Sequence, residues 1–273
     1  MSAFPIGVML ESFRKPMPEA LAAAKALGAQ GIQAYARKLD RQTAKELAAR
    51  LADNGLVLSA LCGDLGKGFG NPELNPELIE TSKRFIDLGK ELGTDIVTTH
   101  IGVVPQDKNH PRYHIMQDAC GELARYADSM QAHFAVETGP ETAATLCAFL
   151  DGLHSTGVSV NLDPANLVMV TGDDPVQAVH TLKKYIVHTH AKDGRKLFDR
   201  DPEIIYHVVA PEEPVTDSSF IEVPLGEGDV PFPAYLNALR EIGYTGFLTI
   251  EREVGSDPAA DIRLAAEYLR SLF

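Results

Sequence analysis

The chain has 273 residues, a formal net charge of −13, 45% hydrophobic residues and 23% charged ones. The length suits one α/β barrel, which needs about 250 residues, and the composition is that of a chain with a core to bury, which excludes disorder. The acidic balance repels phosphate backbones and excludes nucleic acid as a natural partner, while Cys62, Cys120 and Cys147, odd in number and dispersed, exclude a disulfide framework and fit a reducing compartment.

The N-terminus, Met1-Ser2-Ala3-Phe4-Pro5, lacks a basic leader region, and no apolar run reaches the ~20 residues of a membrane span. The expectation is a cytoplasmic protein with no membrane partner. From there, β-rich runs alternate with segments of helical spacing. Ile6–Met9 reads as strand, Glu19–Leu27 as helix, Gly31–Tyr35 as strand, Thr43–Leu51 as helix, Val57–Leu61 as strand and Leu78–Leu92 as helix. Asp95–His100, Phe134–Glu137, Ser159–Asp163, Ile186–His190 and Phe247–Glu251 continue the strands; Gln117–Met130, Ala143–Leu153, Ala234–Ile242 and Ile262–Leu272 continue the helices. Gly28, Gly93 and Gly243 each follow the last apolar helical position, where a left-handed cap belongs. Eight strands separated by helices, with no hairpin signal, predict a parallel (β/α)8 TIM barrel as a single domain over residues 1–273. The segment 194–229 breaks the rhythm with Pro202, Pro211, Pro214 and Pro224, and predicts a long irregular loop that covers the site or crosses a subunit boundary. Its length favours a homo-oligomer, a dimer or a tetramer.

In such a barrel the working side chains gather at the C-terminal strand ends. Four successive strands end in Glu137, Asp163, His190 and Glu251. A single strand-end carboxylate more often caps a helix or pairs with a lysine. Three brought together without a cation would cost many kcal/mol, so the joint reading is a site for one divalent ion. The mixture of carboxylates and imidazole favours Mn²⁺, with Mg²⁺, Co²⁺ or Zn²⁺ as alternatives. His100 ends the fourth strand and faces the same opening, against the plainer reading of a histidine packed under a loop. His188 and Lys192 share the parity of His190, the first one layer deeper as an orienting residue, the second just past the strand end. Glu141 lies where substrate contact and helix capping are equally good explanations. Glu11, Cys62 and His207 carry no specific signal, and Gly63-Asp64-Leu65-Gly66-Lys67-Gly68 lacks phosphate-loop spacing, which favours free sugars or polyols.

The stretches Val136-Glu137-Thr138-Gly139-Pro140, Asn161-Leu162-Asp163-Pro164-Ala165-Asn166, Val187-His188-Thr189-His190-Ala191-Lys192-Asp193, Gly226-Glu227-Gly228-Asp229-Val230, Gly243-Tyr244-Thr245-Gly246 and Ile250-Glu251 resemble the xylose isomerase-like superfamily of sugar isomerases and epimerases. The resemblance covers nearly the whole chain and includes ketose 3-epimerase, hydroxypyruvate isomerase and inosose dehydratase branches. It implies that Glu137, Asp163, His190 and Glu251 ligate metal, and that Glu137 and Glu251 also carry protons to and from an α-hydroxy ketone through a metal-stabilised enediolate. Two departures stand out. Asn166 occupies the position at which ketose 3-epimerases hold a substrate-binding histidine, and Ala191-Lys192-Asp193-Gly194-Arg195 replaces their Gly-Glu pair and arginine, making Arg195 the expected contact on that side. The Lys-Asp version is closer to the inosose dehydratase-like branch, so a dehydratase or lyase on a keto-sugar or keto-inositol is the alternative. Apurinic-site DNA cleavage needs a histidine at position 166, and a non-catalytic sugar binder would have lost a ligand position.

Overall fold

A closed barrel of parallel strands organises the chain. The computed structural model describes residues 3–212 and 214–273; Met1 and Ser2 of the N-terminal reading and Glu213 of the irregular segment lie outside them. Strands β1 (Ile6–Met9), β2 (Gly31–Tyr35), β3 (Val57–Cys62), β4 (Ile96–Thr99), β5 (His133–Glu137), β6 (Val158–Leu162), β7 (Ile186–Ala191) and β10 (Leu248–Ile250) close in the order β1-β10-β7-β6-β5-β4-β3-β2. All eight expected strands are present. Gly28, Gly93 and Gly243 take positive φ of 77°, 84° and 74°, as the cap reading requires.

Helices Met17–Ala26, Arg41–Asn54, Asn75–Leu92, Pro111–Ser129, Ala143–Asp151, Pro175–Leu182, Phe232–Glu241 and Pro258–Ser271 pack outside the strands. Several start earlier than periodicity predicts because a proline sits in the first turn, where its missing N–H costs nothing. The helix Pro175–Leu182, capped by the Asp174 carboxylate, was not among the expected ones. Between helices and strands lies an apolar layer that includes Leu21, Ile32, Leu47, Leu61, Leu123, Phe134, Phe149 and Leu239, each at most 1% exposed.

The barrel interior is polar. Gln33 Nε2 donates to Thr98 Oγ1 at 2.9 Å, and His188 pairs with Asn161 Oδ1 at 2.8 Å and with Thr249 Oγ1 at 2.9 Å. Each of these groups has a buried partner, which offsets its desolvation. Strand alternation thus sends apolar residues to the helices and polar ones to the axis.

Segment 194–229 is more ordered than a loop. Strands β8 (Asp193–Lys196) and β9 (Phe220–Val223) form an antiparallel ribbon, with a short helix Pro202–Ile205 between them. The Asp193 carboxylate accepts N–H bonds from Gly226 and Gly228 at 2.9 Å and from Val230 at 3.1 Å, gathering the returning chain at the ribbon's root. Arg252 pairs with Glu222 at 2.7 Å and Asp261 at 2.8 Å, and Arg112 pairs with Glu203, tying the segment to the barrel at two further points. No helix among the described residues is long and apolar enough to cross a membrane.

Candidate metal centre and active site

The ends of β5, β6, β7 and β10 adjoin in the barrel and bring Glu137, Asp163, His190 and Glu251 together, with one donor atom from each lying within 4.8 Å of all the others. Local structure fixes each donor. Asp163 follows β6 directly, and its Oδ1 accepts N–H bonds from Ala165 at 2.8 Å and Asn166 at 3.0 Å, leaving Oδ2 free to face the cluster. Thr138 clamps the backbone of Asp163, accepting its N–H at 2.8 Å and donating to its carbonyl at 2.9 Å. Gly139 turns the chain out of β5 at φ 140°; a Cβ there would lie 2.5 Å from Asn166 Cβ, so a side chain is excluded.

His190 is oriented from behind. Its Nε2 meets Gln33 Oε1 at 2.9 Å and has Asn161 Nδ2 at 3.2 Å; in the tautomer with the proton on Nε2, Gln33 accepts it and Nδ1 is left as the donor atom. Nδ1 then faces three carboxylates, at 3.4 Å from Glu137, 3.4 Å from Asp163 and 3.3 Å from Glu251. Asn161 Nδ2 supports Glu137 Oε2 at 3.1 Å, and Asn166 Nδ2 supports Oε1 at 3.3 Å.

The electrostatics are those of a cation site. Burial disfavours ionisation of Glu137, yet His190 and His100 outweigh it and hold the carboxyl below its usual range. Glu251 is held further below, with His190 and Lys192 overcoming burial. Burial pulls the other way on His190, but Glu251 and Glu137 hold it well above its usual value. Three buried anionic oxygens and an imidazole nitrogen aimed at one point are a hard and borderline donor set that fits a divalent ion.

A cavity of about 610 Å³ opens above the cluster, lined by Glu137, Glu251, His100, Asn166 and Lys192, with Cys62 and Tyr35 beside them. His100 Nε2 is 3.6 Å from Glu137 Oε1, its ring centroid is 5.7 Å from that of Tyr206, and its buried Nδ1 has no partner among the described residues. Lys192 Nζ is 3.1 Å from Glu251 Oε2 and also contacts Glu253. These three expected substrate contacts, His100, Asn166 and Lys192, therefore reach the cavity.

The other three do not line it. His188 sits one layer deeper between Asn161 and Thr249, and burial together with His190 pushes it down to about 3, so it is a neutral orienting group. Arg195 lies on the ribbon, half-exposed and 3.7 Å from Asp229. Glu141 is buried away from the cavity; its Oε2 accepts the Val104 N–H at 3.2 Å and Oε1 has no partner among the described residues. Neither does Glu141 cap the following helix, a role taken by Thr142. Glu11 accepts the Tyr35 N–H at 3.3 Å, and His207 lies off the cavity in the inserted segment.

Burial pushes the Glu141 carboxyl up to about 8, against the lowering effect of the Val104 N–H. Its folded value lies above the 4.5 of an unperturbed glutamate, so its contribution to stability is full below the unfolded value and is lost as pH rises through about 8. Glu141→Gln cannot ionise. It is expected to gain on the wild type by a few kcal/mol in urea unfolding between about pH 5 and pH 9. A stability difference that stays flat across that interval would mean that Glu141 ionises normally.

Other contributors carried no sequence signal of their own. Gln33 and Asn161 are amides inside ordinary strands, while Tyr206 and Glu222 come from the inserted segment. Glu253 is the exception, since it lies two residues after Glu251 and repeats its parity.

Comparison with known proteins agrees with this fold. The xylose isomerase domain protein from Planctomyces limnophilus superposes with a TM-score of 0.80 at 26% identity, over 100% of this chain and 98% of that one. A xylose isomerase-like TIM barrel protein from Mycobacterium smegmatis, solved in complex with magnesium, gives a TM-score of 0.73 at 20% identity over 100% and 98% of the two chains. The 3-keto-D-glucoside 4-epimerase from E. coli gives 0.76 at 18% identity over 98% and 99%. The latter two likenesses show a shared fold. A family model described as xylose isomerase-like TIM barrel matches residues 21–272, and the chain belongs to that family.

Proposed function

We propose that the protein is a divalent-metal-dependent isomerase or epimerase that moves a proton on the carbon beside the ketone of a sugar or polyol. The observation that carries this is the placement of Glu137 and Glu251 on the two outer strands of the four-strand arc, both ionised and both beside one cavity. A divalent ion held by Glu137, Asp163, His190 and Glu251, with Mn²⁺ favoured, would draw electron density from the ketone oxygen and acidify the neighbouring C–H.

The chain's own residues do the rest. One glutamate removes the proton and the other, after taking up a proton from solvent, returns it from the opposite side, inverting the carbon; a single working base gives isomerisation instead. Because Oδ1 of Asp163 is spent on two backbone N–H groups, this residue offers the cluster one oxygen. Asn161 and Asn166 hold the Glu137 carboxylate in line, and Asn166 and His100 face the substrate hydroxyls.

Lys192 supports a second reading. An ammonium 3.1 Å from Glu251 is an acid beside a base, suited to protonating a departing hydroxyl, which would make the enzyme a dehydratase. A panel of keto-sugars and keto-inositols incubated with Mn²⁺ in D2O and read by mass spectrometry separates the two. The expected product has the substrate's composition with one deuterium on carbon. A product lighter by one water would select the lyase, and a whole panel without exchange or turnover would remove both readings.

A further inference from the structure

The cavity has two unlike parts. Around the metal-binding cluster it is polar, with Glu137, Glu251, Asn166 and Lys192. The rest of the lining is largely apolar and comes from elsewhere in the chain. Met169 and Val170 are supplied by the π-helical turn Leu167–Thr171, while Ile205, Phe220 and Ile221 come from the inserted segment. Val254 completes the apolar surface. Ile221 is 42% and Val254 45% exposed, so apolar surface stands open along the cavity.

The charge of the lining is equally one-sided. Asp64, Glu137, Glu222, Glu251 and Glu253 face the cavity, and Lys192 is the single lysine or arginine lining it among the described residues. That ammonium is already shared between Glu251 and Glu253, and Glu222 is neutralised from outside the lining by Arg252, whose guanidinium is fully engaged with Glu222 and Asp261. Even with a divalent cation present the lining stays net negative, so a phosphate or carboxylate on the substrate would meet repulsion with no guanidinium to pair it. The volume of about 610 Å³ lies within the roughly 300–1,000 Å³ typical of sites for drug-sized ligands and leaves room beyond one sugar ring.

We infer that the substrate is an uncharged keto-glycoside, a sugar ring that reacts over the carboxylates and carries an apolar substituent against Met169, Ile205, Phe220, Ile221 and Val254. This names the substrate of the proton-transfer reading above and rests on it. The inserted segment is then the specificity element: it builds the surface that covers the substituent.

Binding and exchange test the two levels separately. Phenyl and methyl β-D-glucopyranoside, both unreactive for lack of a ketone, are titrated calorimetrically into the Mn²⁺-loaded full chain, together with methyl β-D-glucopyranoside 6-phosphate. The phenyl glycoside is expected to bind about tenfold or more tightly than the methyl one, and the phosphate about tenfold or more weakly. Ile221→Ser combined with Val254→Ser, both at exposed positions, should bring the phenyl-to-methyl ratio towards one. Leu264→Ser, exposed on helix Pro258–Ser271, should leave that ratio in place. Equal affinities for phenyl and methyl, a preference for the phosphate, or a ratio insensitive to the double variant would each overturn the inference. The corresponding 3-keto-glycosides are followed in D2O in parallel. Loss of α-hydrogen exchange there, with the binding preference intact, would remove the proton-transfer function and leave the cavity assignment standing.

Discussion

Glu137→Gln and Glu251→Gln are each expected to lower turnover by about 10²–10⁴, the usual cost of losing a general acid or base, while metal occupancy falls only modestly. Gln keeps an oxygen donor of the same reach but cannot take up a proton. Both carboxyls lie below their usual range in the folded chain, so at neutral pH each is ionised and has a free oxygen lone pair for a proton, although with lowered basicity. The two variants need not behave alike. In an epimerase, the variant that keeps the abstracting residue still exchanges the substrate's α-hydrogen for deuterium without inverting the carbon, whereas the other loses exchange as well. Wild-type turnover in both, measured with metal restored on the true substrate, would reduce these residues to ligands.

The second large effect is on the metal itself. Asp163→Ala and His190→Ala are each expected to abolish stoichiometric binding of one divalent ion per chain, as read by elemental analysis after gel filtration. Asp163 is fully buried and His190 is 1% exposed, so neither can be replaced by a neighbouring side chain without rebuilding the strand ends. The loss should exceed the roughly 10- to 100-fold that removal of a residue which only orients a ligand produces, the effect expected for His188→Ala or Gln33→Ala. Folding reports the same event. At a metal concentration about a hundred times Kd, binding adds about 2.7 kcal/mol of stability, or roughly 5–10 °C in Tm for a chain of this size. EDTA should reverse that gain in the wild type and do nothing in the Asp163 variant. Full metal content in both variants would dismiss the site.

The barrel and its four central donors were legible in the sequence because the physics that sets them is local. Strand runs bounded by helix-capping glycines mark the α/β unit, and a barrel strand delivers its next inward residue to the same end every time, so Glu137, Asp163, His190 and Glu251 were found by position alone. What holds those donors was not legible. Gln33 and Asn161 lie inside strands as single amides; Asn161 reaches His190 through the pairing of β6 with β7, and only closure of the sheet brings β2 and Gln33 to the same ring. Glu141, placed by its distance from Glu137 either at the substrate or at a helix cap, and Arg195, placed at the substrate by the family resemblance, lie elsewhere: the first turns into the protein beneath Val104 and the second follows the ribbon outward. The inserted segment offered no period to read. Its ribbon, its Tyr206 beside His100 and its apolar lining depend on contacts with distant parts of the chain.

The staple at Asp193 bears on how such a protein changes its chemistry over time. Because one carboxylate holds Gly226, Gly228 and Val230 against the start of the ribbon, the two ends of the segment are fixed to each other before anything between them is specified. Lengthening or shortening a closed loop costs little, since the penalty grows only with the logarithm of its length. The stretch between β8 and β9 is thus a graftable cassette. Exchanging it for a segment of different length and polarity would alter the shape of the cavity above the carboxylates, while the strand ends keep their spacing.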